Sequence, residues 1–410
     1  MNKQTYKFPD GFFWGAGSSS YQVEGGIENN DWAKASQEGR VPPCGRACDH
    51  YNRYEEDFDI ARSLSHNAHR FSIEWSRIEP EEGKFSQEAV EHYRRVLQAL
   101  KARGIEPYIT IWHFWMPLWF SESGGFKRKD SSQIFARYAR YVVEQLGDLA
   151  TKFSTINEPY SVVVNGYVRG NWPPFYEVPL MSFVDLPNGN ATKQVPKRSW
   201  RGLFDFFTVA NKLADAHNEA YDAIKGVRPE VDVSIVFQVF IWEANNNPIN
   251  KLLAKLQTWN MTTRFMNKVA NRCDSIGVNH YFYRRLGGSP KRQVSDTGWE
   301  LYPEKIYNSL KILSRYKKPM YVAEVGVADA DDKYRSEYIK NALLGVHRAI
   351  KEGINVKGFL YWSLLDNYEL ALGYDKRFGL VEVNYDTLER KIRPSAYVYK
   401  KIIEDNGIVE

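Results

Sequence analysis

Glu106-Pro107-Tyr108-Ile109-Thr110-Ile111-Trp112-His113-Phe114, a helical pattern over 131–148, and then Phe153-Ser154-Thr155-Ile156-Asn157 form the stretch that decides the fold. Two short runs of β-branched and aromatic residues flank a segment whose apolar residues recur at helical spacing, which is the pattern of two parallel strands joined by a crossover helix. Working outward, the same alternation repeats in both directions. Strands are predicted at 12–19, 69–75, 106–114, 153–157, 231–239, 275–281, 319–324 and 356–364, and helices near 50–65, 87–103, 131–148, 203–225, 251–270, 303–315, 333–352 and 394–404. Eight such pairs argue for a closed (β/α)8 barrel of the α/β class, and an open doubly wound sheet is the alternative. An open sheet usually carries a phosphate-binding turn after its first strand. Here the Gly-rich turn Gly15-Ala16-Gly17-Ser18-Ser19-Ser20 lacks a third glycine, and no helix opens at Tyr21-Gln22-Val23-Glu24-Gly25-Gly26. Dinucleotide binding does not fit.

No repeat, low-complexity tract or linker divides the 410 residues, so the reading is one barrel domain spanning 1–410. A hydrophobic fraction of 43% supports a large core, and 55 Lys+Arg against 50 Asp+Glu, interleaved throughout, leave a net charge of +5 with no basic face for nucleic acid. The start, Met1-Asn2-Lys3-Gln4-Thr5-Tyr6, has no basic-then-apolar leader, and no run is long and apolar enough to span a membrane, so a cytoplasmic protein is expected. Cys44, Cys48 and Cys273 make a disulfide framework unexpected; Cys44, Cys48 and His50 lie near one another, but the one further Cys is far away. The long insertion after the fourth strand, 171–200, opens Trp172-Pro173-Pro174-Phe175 and stays apolar through Leu186, as a packed lid or a lip of a mouth would. With the mixed basic and apolar segment 249–269, it is read as ordinary lid and barrel helix, a hydrophobic mouth or membrane-surface contact being the lesser reading.

In a barrel of this kind chemistry sits where the strands end at their C-terminal face. Those ends are polar: Arg70 on the second strand, His113 ending the third, Asn157-Glu158-Pro159 the fourth, Asn279 and Tyr281 on the sixth, Glu324-Val325-Gly326 on the seventh, and Trp362 and Glu369 after the eighth. A carboxylate following an apolar run such as Met320-Tyr321-Val322-Ala323 is costly to bury unless paired or functional. Two carboxyls across a cavity are what glycosidic cleavage requires, one protonating the leaving oxygen and the other attacking the anomeric carbon or activating water. Either Glu alone would equally be a salt-bridge partner, and His113 or Trp362 alone an ordinary core residue; together they point to catalysis.

The chain resembles glycoside hydrolase family 1, the β-glucosidase and β-galactosidase barrel family. The resemblance rests on Phe8-Pro9-Asp10-Gly11-Phe12-Phe13-Trp14-Gly15, Ser19-Ser20-Tyr21-Gln22-Val23-Glu24-Gly25, Asp49-His50-Tyr51, Arg70-Phe71-Ser72-Ile73-Glu74-Trp75-Ser76-Arg77, Thr155-Ile156-Asn157-Glu158-Pro159 and Trp362-Ser363-Leu364-Leu365-Asp366-Asn367-Tyr368-Glu369. Trp172-Pro173-Pro174-Phe175 and the short chain are most similar to the archaeal-type branch.

That resemblance implies a retaining exo-β-glycosidase, a β-glucosidase with β-galactosidase or β-fucosidase activity alongside, without metal or cofactor and acting on a small β-glycoside or oligosaccharide. It implies Glu158 as acid/base and Glu324 as nucleophile, with carboxyl groups about 5–5.5 Å apart. It implies that Arg70 and the Tyr281 hydroxyl contact Glu324, whose charge raises the pKa of Glu158. Gln22, His113, Asn157 and Glu369 are implied to read sugar hydroxyls, Asn157 the 2-hydroxyl, with Trp362 beneath the ring and Asn279 supporting as a second-layer amide. Three positions depart from the family: Val325 stands where Asn is usual, Phe114 where Trp is, and Leu370 where Trp is. Leucine cannot donate the hydrogen bond of an indole N–H, so discrimination among sugars is expected to change there. Two other readings stay open, a glycan-binding barrel without hydrolysis and a transglycosylating enzyme favouring hydrophobic aglycones.

Overall fold

The computed structural model describes residues 5–177, 197–198, 201–281, 283–287 and 293–409. Eight parallel strands form a closed barrel: β1 (Phe13–Gly17), β2 (Ala68–Ser72), β3 (Glu106–Trp112), β4 (Lys152–Asn157), β5 (Asp232–Gln238), β6 (Ser275–His280), β7 (Met320–Val325) and β8 (Val356–Trp362). Each pairs with its neighbours in sequence, and β8 returns to β1. At the β1–β2 contact only glycine fits, because a Cβ on Gly15 would stand 1.8 Å from the Ala68 carbonyl oxygen. The helices that follow the strands are α1 (His50–Ser63), α2 (Gln87–Ala102), α3 (Ser131–Leu146), α4 (Arg201–Val227), α5 (Pro248–Thr258), α6 (Ile306–Leu313), α7 (Arg335–Lys351) and α8 (Pro394–Glu404). In α2, Val90, Tyr93, Val96, Leu97 and Leu100 form the buried stripe, and the Ser86 hydroxyl caps the start by accepting from the Ala89 N–H at 3.2 Å.

The predicted strands stand where expected, but several run one to three residues too long at their C-terminal ends. Phe114 has φ +84°, which takes the chain out of the ladder just after β3. A short antiparallel pair that the sequence pattern does not announce, Thr5–Lys7 with Gly407–Val409, ties the first described residues to the last. The insertion is described only to residue 177 and at 197–198, so the lid reading of 175–186 lies mostly outside the described residues. Segment 249–269 is helical, through a wide turn at Trp259–Thr263 into Arg264–Val269, but α5 does not pack as an ordinary barrel helix: Ile249, Leu252, Leu256 and Trp259 are each more than half exposed. No helix among the described residues is long and apolar enough to cross a membrane.

Ala68, Tyr108, Val236, Tyr321, Ala323 and Leu360 cluster with Phe13 as the packed inside of the barrel. Side chains alternate along a strand, so with Tyr321 and Ala323 inward, Glu324 would point outward. The register instead slips at this point: Val278 pairs with Val322 while Asn279 pairs with Glu324, leaving Ala323 as an extra residue in β7. β4 slips likewise between Ser154, opposite Ser234, and Asn157, opposite Val236. Each bulge re-aims the strand end that carries a candidate carboxylate.

Candidate active site

Arg70 lies two residues along β2 from Ala68 and is fully buried. Its Nη1 donates to Glu324 Oε1 and its Nη2 to Asn157 Oδ1 at 2.8 Å. The Tyr281 hydroxyl donates to the other Glu324 oxygen at 2.6 Å. Glu324 therefore receives one cation and one hydroxyl, charge-assisted bonds on both oxygens.

Glu158 sits across the cavity at the end of β4. Its φ is +43°, and the turn leads into the helix Pro159–Tyr167, where proline occupies a position whose N–H would have no helical partner. Asn279 Nδ2 donates to Glu158 Oε1 at 2.7 Å and the Ser161 hydroxyl to Oε2 at 2.6 Å. Both partners are neutral. Burial first, then the charge of Glu324, push the Glu158 pKa up to about 7, against the lowering effect of the two hydrogen bonds and of Arg70. The two carboxyls thus differ by environment, as an acid and a nucleophile must. Asn157 Oδ1 also accepts from Asn279 Nδ2 at 3.3 Å, so Glu324, Arg70, Asn157, Asn279 and Glu158 form one connected chain.

The cavity, about 220 Å³, is lined by both carboxylates together with Gln22, His113, Tyr281, Trp362 and Glu369 from the predicted set. Asn157 Nδ2 donates to His113 Nε2 at 3.2 Å, which puts the ring proton on Nδ1, where no partner among the described residues meets it; burial and the charge of Arg70 keep this histidine neutral. The Gln22 amide is held by Ser19, Asn367 and the Tyr368 carbonyl. Trp362 Nε1 donates to Glu369 Oε1 at 3.3 Å, and burial, with the charges of Glu324, Asp366 and Glu158 behind it, raises the Glu369 pKa to about 8. Trp362 and the His113 ring lie nearly parallel, 5.9 Å apart.

The rest of the wall was not foreseen. Ser161, Val164, Asn165 and Arg169 line it from the helix after Glu158 and its exit, and Gln238, Phe240, Trp299, Phe378 and Leu372 complete it beside Leu370, which the sequence had singled out. Gln238 ends β5, a strand from which the sequence reading took no polar residue, although a glutamine closing Val233-Ser234-Ile235-Val236-Phe237 was the available signal. Phe114 and Trp172 line the cavity, whereas the neighbouring Trp112 and Trp115 are buried and do not. Cys44 and Cys48 do not meet a metal set: they donate to the carbonyls of Tyr21 and Asp366, and His50 pairs with Asp57 at 2.7 Å. A larger depression of about 540 Å³, bordered by Glu24, Arg46 and Arg77, holds none of the strand-end residues, and its Glu24 is already paired with Arg77 at 2.9 Å.

The sequence profile of glycosyl hydrolase family 1 matches residues 4–275 and 287–408. A beta-glucosidase A of Acetivibrio thermocellus is 32% identical, with 99% of this chain and 100% of that protein covered. A beta-galactosidase of Sulfolobus acidocaldarius is 30% identical over 98% and 96%. Among solved structures, a beta-glycosidase from Pyrococcus horikoshii superposes with a TM-score of 0.88 at 35% identity, covering 99% of this chain and 96% of that one.

Proposed function

The chain belongs to glycosyl hydrolase family 1, and on that premise we propose that its two buried strand-end carboxyls divide the work of β-glycoside cleavage, Glu324 attacking the anomeric carbon and Glu158 moving the proton. The protein is a retaining β-glycosidase. In the first step the glycosidic C–O bond breaks as Glu158 gives its proton to the leaving oxygen, and a bond forms between C1 and a Glu324 oxygen. Esterification removes the negative charge that held the Glu158 proton, so Glu158 now takes a proton from water as the water oxygen attacks C1 and the C1–Glu324 bond breaks, which releases the Glu324 carboxylate and the sugar with its configuration retained. The observation that carries this reading is the unlike pairing of the two carboxyls: a guanidinium and a phenol on Glu324, two neutral donors and a pKa near 7 on Glu158.

Trp362 offers an aromatic face to the C–H side of the sugar, while His113, Gln22 and Glu369 line the cavity as groups for its hydroxyls; Asn157, proposed for the 2-hydroxyl, is buried behind that lining and bonded to Arg70, His113 and Asn279, and Asn279 holds Glu158. The preferred glycone is a terminal β-D-glucosyl unit, with galactosyl and fucosyl units accepted because Leu370 leaves one sugar hydroxyl without an indole donor. Phe114, Trp172, Phe240, Trp299 and Leu372 supply apolar lining, which favours hydrophobic aglycones and supports transfer to alcohols as a second reading. Three buried, free cysteines support a reducing, cytoplasmic location; fractionation of cells expressing the tagged chain checks it, and recovery outside the cytoplasm overturns it. The roles themselves are tested with Glu324→Ala, assayed on an aryl β-glucoside with added azide. Turnover should return with α-glycosyl azide as product, and a β-azide or no recovery would remove Glu324 from the nucleophile's role.

A further inference from the structure

The two oxygens of Glu158 have partners of different chemical kind. On Oε1 stands the Asn279 amide nitrogen, at 2.7 Å, a group that only donates. On Oε2 stands the Ser161 hydroxyl, at 2.6 Å, a group that donates or accepts. Ser161 is fixed by its own backbone: it lies in the first turn of Pro159–Tyr167, its N–H donating to the Glu158 carbonyl at 2.9 Å. It is 8% exposed and lines the cavity on the same helix face as Val164 and Asn165, three and four residues on.

A carboxyl that is an acid in one half of a reaction and a base in the other changes its hydrogen-bond needs midway. A proton on Oε1 would point at the Asn279 N–H, donor against donor. Turning that amide over would break its bond to Asn157 Oδ1 at 3.3 Å. A proton on Oε2 meets no such conflict, because the hydroxyl rotates to accept it. We propose that Ser161 is a positioning residue that steers the Glu158 proton to Oε2 and then, once the proton has left, turns to donate to the ionised carboxylate. The proposal rests on Glu158 being the acid/base.

The proton is thereby kept on the oxygen beside the Ser161–Val164–Asn165 wall of the cavity, and the carboxylate that must act as base in the second step is held by two donors instead of one. Nothing in the residue order around Glu158 announces this, since the hydroxyl reaches back across a single helical turn.

The charged and titratable groups that bear on Glu158 come from every side: Arg70 on β2, Tyr281 after β6, Glu324 on β7 and Glu369 after β8, with His113 after β3 kept neutral. All of them persist when Ser161 is changed, so a set of Ser161 variants isolates the hydroxyl. The test is the pH dependence of kcat/KM and kcat for wild type, Ser161→Ala and Ser161→Thr on one aryl β-glucoside with a good leaving group and one with a poor one. In Ser161→Ala the alkaline limb of kcat/KM should move to higher pH, because the charge-assisted bond lost by the ionised form outweighs the neutral bond lost by the protonated one, and kcat on the good leaving group should fall about 5- to 10-fold as the base-dependent step slows. Ser161→Thr keeps a hydroxyl and should return both. An alkaline limb that does not move in Ser161→Ala overturns the proposal, whether or not the rate falls uniformly. Failure of Ser161→Thr to restore a shifted limb overturns it too. Glu158→Gln run beside them separates the two claims: equal loss on both leaving groups removes Glu158 from the acid/base role, while a leaving-group-dependent loss with an unmoved Ser161→Ala limb sinks only Ser161.

Discussion

Replacing Glu324 by glutamine removes one negative charge facing Glu158 while leaving a side chain of similar size, and the consequence can be worked out in advance. Burial and the Glu324 charge are the two largest upward influences on a Glu158 pKa of about 7. At the roughly 5.5 Å separation of a retaining pair and an effective dielectric of about 20, a unit charge is worth about 3 kcal/mol, or about 2 pH units. Arg70, no longer neutralised by Glu324, pulls in the same direction. Glu158 should therefore titrate near pH ~5 in Glu324→Gln, still above an exposed carboxyl because its burial is unchanged. The assay is a carbon NMR titration of protein labelled at the glutamate side-chain carboxyls, with the Glu158 resonance assigned by its loss in a Glu158→Gln/Glu324→Gln double variant. A Glu158 that still titrates near 7 refutes the coupling, and with it the explanation of how one residue serves as acid before esterification and base after it. The wild-type counterpart is an alkaline limb of kcat/KM near pH 7, since activity needs the protonated form and is lost as pH rises through that value.

Glu158→Gln should leave a dinitrophenyl β-glucoside within about tenfold of wild type in the glycosylation rate while slowing an alkyl β-glucoside by about 10² to 10⁴, because only the poor leaving group needs the proton; pre-steady-state kinetics on the two substrates decides it. Leu370→Trp should narrow a nitrophenyl β-glycoside panel, changing the ratio of kcat/KM between gluco and galacto substrates by about 1–3 kcal/mol; an unchanged ratio would move the origin of selectivity elsewhere in the pocket.

The barrel was legible because its signals are repetitive: a β-branched run such as Tyr108-Ile109-Thr110-Ile111 and a stripe such as Val90, Tyr93, Leu97 and Leu100 recur eight times over. The boundaries of the strands were less so, because Phe114, which leaves the ladder at a positive φ, is of the same apolar and aromatic type as the residues that stay in it. The residues at the strand ends could be named, but not how Glu324 and Asn157 reach the inside: each depends on a one-residue bulge in β7 or β4, and a bulge leaves no mark in a hydrophobic pattern. Ser161 and Arg169 reach the cavity from a helix and its exit, and Trp299 from a loop after β6, so neither strand-end reasoning nor spacing pointed to them. The exposed stripe from α5 into the turn after it was only the lesser reading of the sequence for the converse reason, since Ile249, Leu252, Leu256 and Trp259 have the spacing of a buried face.

The central claim is that Glu324 carries the sugar between the two steps. Incubation with a 2-deoxy-2-fluoro-β-glucoside bearing a good leaving group slows both steps but the second more, so the covalent species accumulates and can be digested and mapped by mass spectrometry. The sugar should be found on the peptide containing Met320-Tyr321-Val322-Ala323-Glu324, attached at Glu324. A sugar on Glu158 or Glu369, or an enzyme that turns the compound over with inversion and no adduct, would contradict the account.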